Sequence, residues 1–160
     1  MDIIEKLIAD HQQVREQTFV AEKLASLIDS NAFFWDNATA VQRFFEKEVR
    51  EHFAIEERVL FPVLRQVVSD WERTMLEKIE SEHVQILKLL NELSDISKQH
   101  IRYPSKSTRE FFVKVCAKIL DILMPHARRE DEELYPVINK RFTDAHYRQL
   151  EENLKLFKKS

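Results

Sequence analysis

The sequence predicts an all-α fold: an up-down-up-down four-helix bundle with an additional short C-terminal helix. Three observations point there. The 160 residues contain no glycine, so tight hairpins and phosphate-cradling loops, which need positive φ, are hard to build. Apolar residues recur close to every 3.6 positions in four long stretches, the period of a helix with one buried face. One stretch is also written twice. His52-Phe53-Ala54-Ile55-Glu56-Glu57-Arg58-Val59-Leu60-Phe61-Pro62-Val63-Leu64 returns 74 residues later as His126-Ala127-Arg128-Arg129-Glu130-Asp131-Glu132-Glu133-Leu134-Tyr135-Pro136-Val137-Ile138. Upstream, Glu5-Lys6-Leu7 with His11 and Gln13 is echoed 72 residues on by Glu77-Lys78-Ile79 with His83 and Gln85. The chain reads as two copies of a helix pair, each carrying His on its first helix and His plus Glu on its second.

The first helix is expected from Asp2 to about Ile28, with Ile4, Leu7, Ile8, His11, Val14, Thr18, Leu24 and Ile28 on its stripe. Asp29-Ser30-Asn31 breaks it. Phe33-Phe34-Trp35 reads as an apolar loop or short turn over the bundle end, with Asp36 or Asn37 capping the second helix. That helix turns Val41, Phe44, Phe45, Glu48, Val49, His52, Ile55, Glu56, Val59 and Leu60 inward, until Pro62 kinks it or limits it to a further turn or so. Ser69 and Glu72 form a capping box for a third helix, from about Asp70 to His100, whose stripe includes Ile79, His83, Ile86, Leu90 and Leu93. After a loop at Arg102–Lys106, Ser107 with Glu110 is expected to cap the fourth helix. Its face carries Phe112, Val115, Ile119, Ile122, Leu123, His126, Glu130, Glu133 and Leu134, with interruptions near Pro125 and Pro136. A shorter helix follows, from Asp144 to Lys158. The chain is thus expected to be one domain of residues 1–160, with the bundle over about 2–141 and the extra helix over about 144–158.

Composition narrows the function. A chain of this length buries about two-thirds of its unfolded surface and needs no staple. A net charge of −3 and a pI near 6.1 supply no electrostatic footprint for nucleic acid. No apolar run is long enough to span a membrane, Met1–Lys6 is not a signal peptide, and the lone Cys116 fits a reducing compartment. The expected setting is the cytoplasm, with no nucleic-acid or membrane partner.

Each of the four long helices places one histidine on its apolar stripe: His11, His52, His83 and His126. Two of these have a glutamate four residues on, Glu56 and Glu130, and an i to i+4 step puts both side chains on one face. An ionised carboxylate in a helix core costs several kcal/mol unless something positive meets it. No Lys or Arg shares the stripe at that level, apart from Arg129 at its edge. The simplest compensation is metal. Six donors converging from four helices could hold one ion. Two glutamates from repeat-related helices are also placed to bridge a pair, which favours a dinuclear centre with two histidines per ion. Imidazole with carboxylate suits iron, manganese or zinc.

These residues resemble the hemerythrin-like (HHE cation-binding) domain family, whose signature is His, His-x-x-x-Glu, His, His-x-x-x-Glu. The likeness runs over roughly the first 140 residues. It implies a non-haem centre of two iron ions bridged by both carboxylates and an oxo or hydroxo group, with His11, His52, Glu56, His83, His126 and Glu130 as metal ligands. Two positions depart from the oxygen-carrying members. A fifth histidine would stand where this chain has Leu87. Those members also use an aspartate five residues after the last histidine, the place of Asp131. On a regular helix Asp131 points about 140° away from His126 and Glu130 only about 40°, so Glu130 is the better ligand unless a π-bulge intervenes.

The resemblance implies a protein that binds O2 or NO at the centre for sensing, storage or stress defence, more a binding protein than an enzyme. The alternatives are a di-iron enzyme reducing NO or peroxide with a partner reductase, or an iron donor in iron–sulfur cluster repair. No catalytic residue is assigned. Outside the repeat, His100 and His146 read as surface or capping residues and Cys116 as a packed thiol. Phe45, Phe53 and Phe61 could line a pocket that excludes water, and Tyr135, matched by the repeat to Phe61, could bring a hydroxyl nearby.

Overall fold

The computed structural model describes residues 2–160, and among these every regular element is a helix. Five helices make up the fold: α1 (Ile3–Leu24), α2 (residues 31–64), α3 (Asp70–Arg102), α4 (residues 106–141) and α5 (Asp144–Lys159). The first four pass alternately between two apolar clusters, and this sets their directions. Along α1, Leu7 lies in the lower cluster and Val14, Ala21 and Leu24 in the upper. α2 begins in the upper cluster with Phe34, Val41 and Phe45 and ends in the lower with Val59, Leu60 and Leu64. α3 rises from Met75 and Ile79 to Leu90 and Leu93, and α4 descends from Phe112 and Ile119 to Leu134 and Ile138. The bundle is therefore up-down-up-down.

Capping explains where most helices begin. Asp2 accepts from the Glu5 amide at 2.8 Å while Glu5 reaches back to the Asp2 amide, and Ser69 with Glu72 does the same for α3. Two starts differ from the sequence expectation. α2 opens at Asn31 behind Ser30, whose extended backbone forms the N-cap, so Phe33-Phe34-Trp35 lie in the helix and not in a loop. Nothing between positions 31 and 37 resists helix, and Asn37 gives its amide to the Phe33 carbonyl at 2.8 Å instead of capping. Phe34 is thereby buried in the upper core, and Trp35 stacks on His100 at 3.8 Å. α4 opens at Lys106, two residues before the Ser107 cap would allow; the Ser105 hydroxyl accepts from the Thr108 amide at 3.1 Å. At its other end α1 closes with a 3-10 turn at Ala25–Leu27, earlier than expected.

Both copies of the repeat contain a π-helical turn that begins at the glutamate, Glu56–Leu60 and Glu130–Leu134. In each, the amide of the aromatic residue bonds five residues back, Phe61 to the Glu56 carbonyl and Tyr135 to the Glu130 carbonyl. The cause is the next residue, Pro62 or Pro136. Proline offers no amide and its ring crowds the carbonyl one turn back, so the preceding turn widens. The extra residue rotates the register beyond it, which is why Glu133, expected inward, is exposed. Pro125 leaves α4 helical on both sides. α5 packs on the α2 turn: Leu150 is buried in the lower cluster, Asn153 donates to the Val59 carbonyl at 3.1 Å, and the Arg58 guanidinium lies 4.7 Å over Phe157.

Among the described residues no helix is long and apolar enough to cross a membrane. The capping geometry makes a discriminating prediction. Replacing Ser105 with Ala should cost about 1 kcal/mol in urea unfolding, the usual worth of an N-cap. Ser107→Ala, inside the first turn, should stay within about 0.5 kcal/mol; equal losses would contradict the assigned cap.

Candidate metal centre

Between the two apolar clusters lies one polar layer. His11, His52, Glu56, His83, His126 and Glu130 are all buried there, and both glutamates are 0% exposed. Each helix delivers its histidine by simple periodicity. On α1, Leu7, His11 and Val14 follow one stripe, and on α3 Ile79, His83 and Ile86 do. On α2 and α4 the α-helical step from His to Glu keeps both on the inner face, and the wide turn starts only at the glutamate.

All four imidazoles aim Nε2 at the middle of the layer. Glu56 Oε1 stands 3.2 Å from His52 Nε2 and 3.3 Å from His83 Nε2. Its repeat counterpart, Glu130 Oε1, stands 3.1 Å from His126 Nε2 and 3.4 Å from His11 Nε2. His83 and His126 approach each other at 3.2 Å between Nε2 atoms. Two overlapping sets of donor atoms lie within 4.8 Å of one another: Glu56, His83, His126 and Glu130 in one, His11, His52 and Glu130 in the other. Among the described residues, His11 Nε2, His52 Nε2, Glu56 Oε1 and both Glu130 oxygens are buried without a hydrogen-bond partner. Buried polar atoms are nearly always satisfied, and five orphans in one layer call for a cation among them. Imidazole nitrogen and carboxylate oxygen are donors suited to a first-row transition metal, so the residues fit such an ion.

The outer nitrogen of every histidine meets a carboxylate. Asp131 takes His11 Nδ1 at 2.8 Å, Asp10 takes His52 at 2.9 Å, Glu57 takes His83 at 3.0 Å and Glu82 takes His126 at 3.2 Å. A proton held at Nδ1 leaves the Nε2 lone pair free and fixes the ring, the usual support of a histidine ligand. Arg15 braces Asp131 at 2.9 Å, Lys6 braces Asp10 at 3.0 Å, and Arg129 pairs with Glu82. Asp131 thus faces the outer nitrogen of His11 and not the centre, although a π turn begins at Glu130. Asp10 and Glu82 were not foreseen, although each immediately precedes a repeated histidine. Each serves the histidine of the next helix, not its own neighbour.

The repeat is not obeyed everywhere. The Tyr135 hydroxyl donates to Glu56 Oε2 at 2.9 Å, where Phe61 has nothing to offer. Phe53 stacks on His83 at 3.9 Å and closes that side. A cavity of ≈ 10 Å³ is lined by His11, His52, His126 and Glu130 and by Val14, Phe44, Val49, Phe53 and Leu123 among others, about one water-sized sphere. A further π turn, Phe45–Val49, borders it and has no counterpart in the second copy.

Charge follows the geometry. Burial works against a proton on His52, but Glu56 and Asp10 outweigh it and raise the imidazole to about 9. His83 is likewise raised against its burial, by Glu56 and Glu57, while burial and the nearby His83 charge keep His126 low. Glu56 is held well below the carboxylate range despite burial, by His52 and His83. Burial, with Glu56 beside it, keeps the Tyr135 phenol protonated. Near neutral pH the metal-free layer therefore stores a proton on His52, and His83 is pulled in the same direction. The His52 contribution to stability is complete below its ordinary value near 6.5 and is lost as pH rises through about 9. Since a metal must displace that proton, metal affinity should strengthen as pH climbs toward 9. Calorimetric titration at pH 7 in buffers of different ionisation enthalpy should show protons released on metal uptake; a heat independent of buffer would contradict this.

Searches of curated proteins and of solved structures return no match. One family model does match, over residues 2–155, and its description is the hemerythrin HHE cation binding domain. With the buried His and Glu cluster at the middle of an all-α bundle, the chain belongs to the hemerythrin HHE cation-binding domain family.

Proposed function

We propose that this chain is a non-haem di-iron protein that binds O2 or NO for sensing, storage or stress defence. In this reading His11, His52, His83 and His126 would hold two irons, two histidines for each, with Glu56 and Glu130 both shared between them. The observation that carries it is the set of five orphaned buried donor atoms brought into one layer by α1, α2 and α4, with the His83 imidazole of α3 beside them. Bound there, iron would supply an electron-rich centre able to take up a diatomic ligand.

The protein's own part is support and exclusion. The four outer carboxylates keep each Nε2 unprotonated and aimed inward once the ions are bound. Phe53, Phe61 and the apolar clusters above and below keep bulk water from the layer. The small cavity beside His11 and His52 is walled by Val14, Phe44, Val49, Phe53 and Leu123. A pocket of that size and lining favours a small, weakly polar molecule over a larger or charged one.

Protein purified without added metal should contain iron, and mixing its reduced form with O2 or NO should produce a new visible absorption band. Absence of iron, or no spectral change with either gas, would overturn the proposal. Glu56→Ala and Glu130→Ala should each lose metal and with it the metal-dependent stability, about 2.7 kcal/mol at a free metal concentration of about 100 times Kd. If both variants kept two ions per chain, the assignment of ligands would be wrong.

A further inference from the structure

Three of the four carboxylates that hold an outer histidine nitrogen are themselves held by a basic side chain. Lys6 lies 3.0 Å from Asp10, Arg15 lies 2.9 Å from Asp131, and Arg129 pairs with Glu82. Glu57, which takes His83 Nδ1 at 3.0 Å, has no basic partner besides that histidine among the described residues. At 41% exposure it is also the most open of the four. Glu57 shares the π turn Glu56–Leu60 with Glu56, and Pro62 just beyond has no amide to give to the helical ladder.

What touches this turn from outside is α5. The Asn153 amide donates to the Val59 carbonyl at 3.1 Å, and the Arg58 guanidinium lies 4.7 Å over the Phe157 ring. One turn earlier α5 is anchored, with Gln66 donating to Gln149 at 3.0 Å and Leu150 buried in the lower cluster. The repeat supplies the contrast. At the positions matching Arg58 and Val59 the second copy has Glu132 and Glu133, both exposed, and there Arg15 holds Asp131 instead.

We infer that α5 is the brace of this side of the polar layer: Asn153 and Phe157 are positioning residues that hold the Glu56–Leu60 turn, and through it Glu56 against the centre and Glu57 against His83. The inference rests on the metal reading of the layer given above. A helix that only covered apolar surface would affect the stability of the fold and leave metal affinity alone.

The test is Co(II) titration of the metal-free full chain, followed by calorimetry, with hydrogen exchange read by mass spectrometry, for the wild type and Asn153→Ala. Groups that orient ligands are worth about 10 to 100-fold in metal affinity, and loss of the Asn153 amide, one step further out, should weaken Co(II) binding about tenfold. In the metal-free variant the amides of residues 57–64 should exchange faster than in the wild type, and those of residues 131–138 at the same rate. Unchanged Co(II) affinity with a lower urea midpoint, or equal loosening of both turns, would overturn the inference while leaving the metal reading intact. No uptake by the wild type would remove that reading and the inference together. A measurement on the wild type alone guards against a variant that fails to fold. Coupling is reciprocal, so if α5 raises metal affinity, saturating Co(II) must slow the exchange of the α5 amides, residues 150–157, by about the same factor of ten. Equal exchange there with and without Co(II) would also overturn the inference.

Discussion

Two carboxylates with no exposure to water, set in the middle of a helical core, are the constraint on which the rest of this structure depends. Glu56 and Glu130 are flanked above and below by Leu, Ile, Val and Phe. A buried ion left without a partner destabilises by several kcal/mol, more than most single packing contacts return. At Glu56 the metal-free protein offsets the cost with protons, the carboxylate raising His52 and His83 beside it. A cation would meet it better, because it can face several donors at once and releases those protons. The same layer is therefore a weak point of the empty fold and a strong point of the loaded one, which ties metal content to stability.

The support around the layer follows a rotation through the four helices. Asp10 on α1 holds His52 on α2, Glu57 on α2 holds His83 on α3, Glu82 on α3 holds His126 on α4, and Asp131 on α4 holds His11 on α1. Each helix thus gives its neighbour a carboxylate and receives one for its own histidine. Against this regular ring, Tyr135, the π turn at Phe45–Val49 and the stack of Phe53 on His83 all make the two ends of the layer unlike. A nearly symmetric frame sets the donors, and a few unmatched residues break its symmetry.

Much of this was legible in the residues. The helical periods, the Ser69 capping box and the repeated His-x-x-x-Glu placed the all-α bundle and drew attention to the six buried donors, because burial of a charged side chain is a strong signal when it recurs in register. Less was readable where the outcome depends on a neighbour. Asp10 and Glu82 looked like ordinary acids, since each acts on a histidine of another helix; the clue was only that both stand just before a repeated histidine. Phe33-Phe34-Trp35 read as a loop because three aromatics near a breaker suggest one, whereas burial of Phe34 and stacking of Trp35 on His100 hold them in helix. Ser105 and Ser107 compete as caps with equal chemistry, and local hydrogen bonding decided between them. Two of the π turns stand just before Pro62 and Pro136, which mark them in the sequence, whereas the one at Phe45–Val49 carries no such mark.

Anomalous-scattering crystallography of the iron-loaded chain tests the central claim most directly. The account predicts two peaks within the polar layer, one beside His83 and His126 and one beside His11 and His52, with Glu56 and Glu130 next to both. Peaks only on the surface, or a single ion with Glu56 and Glu130 turned away from it, would contradict the account.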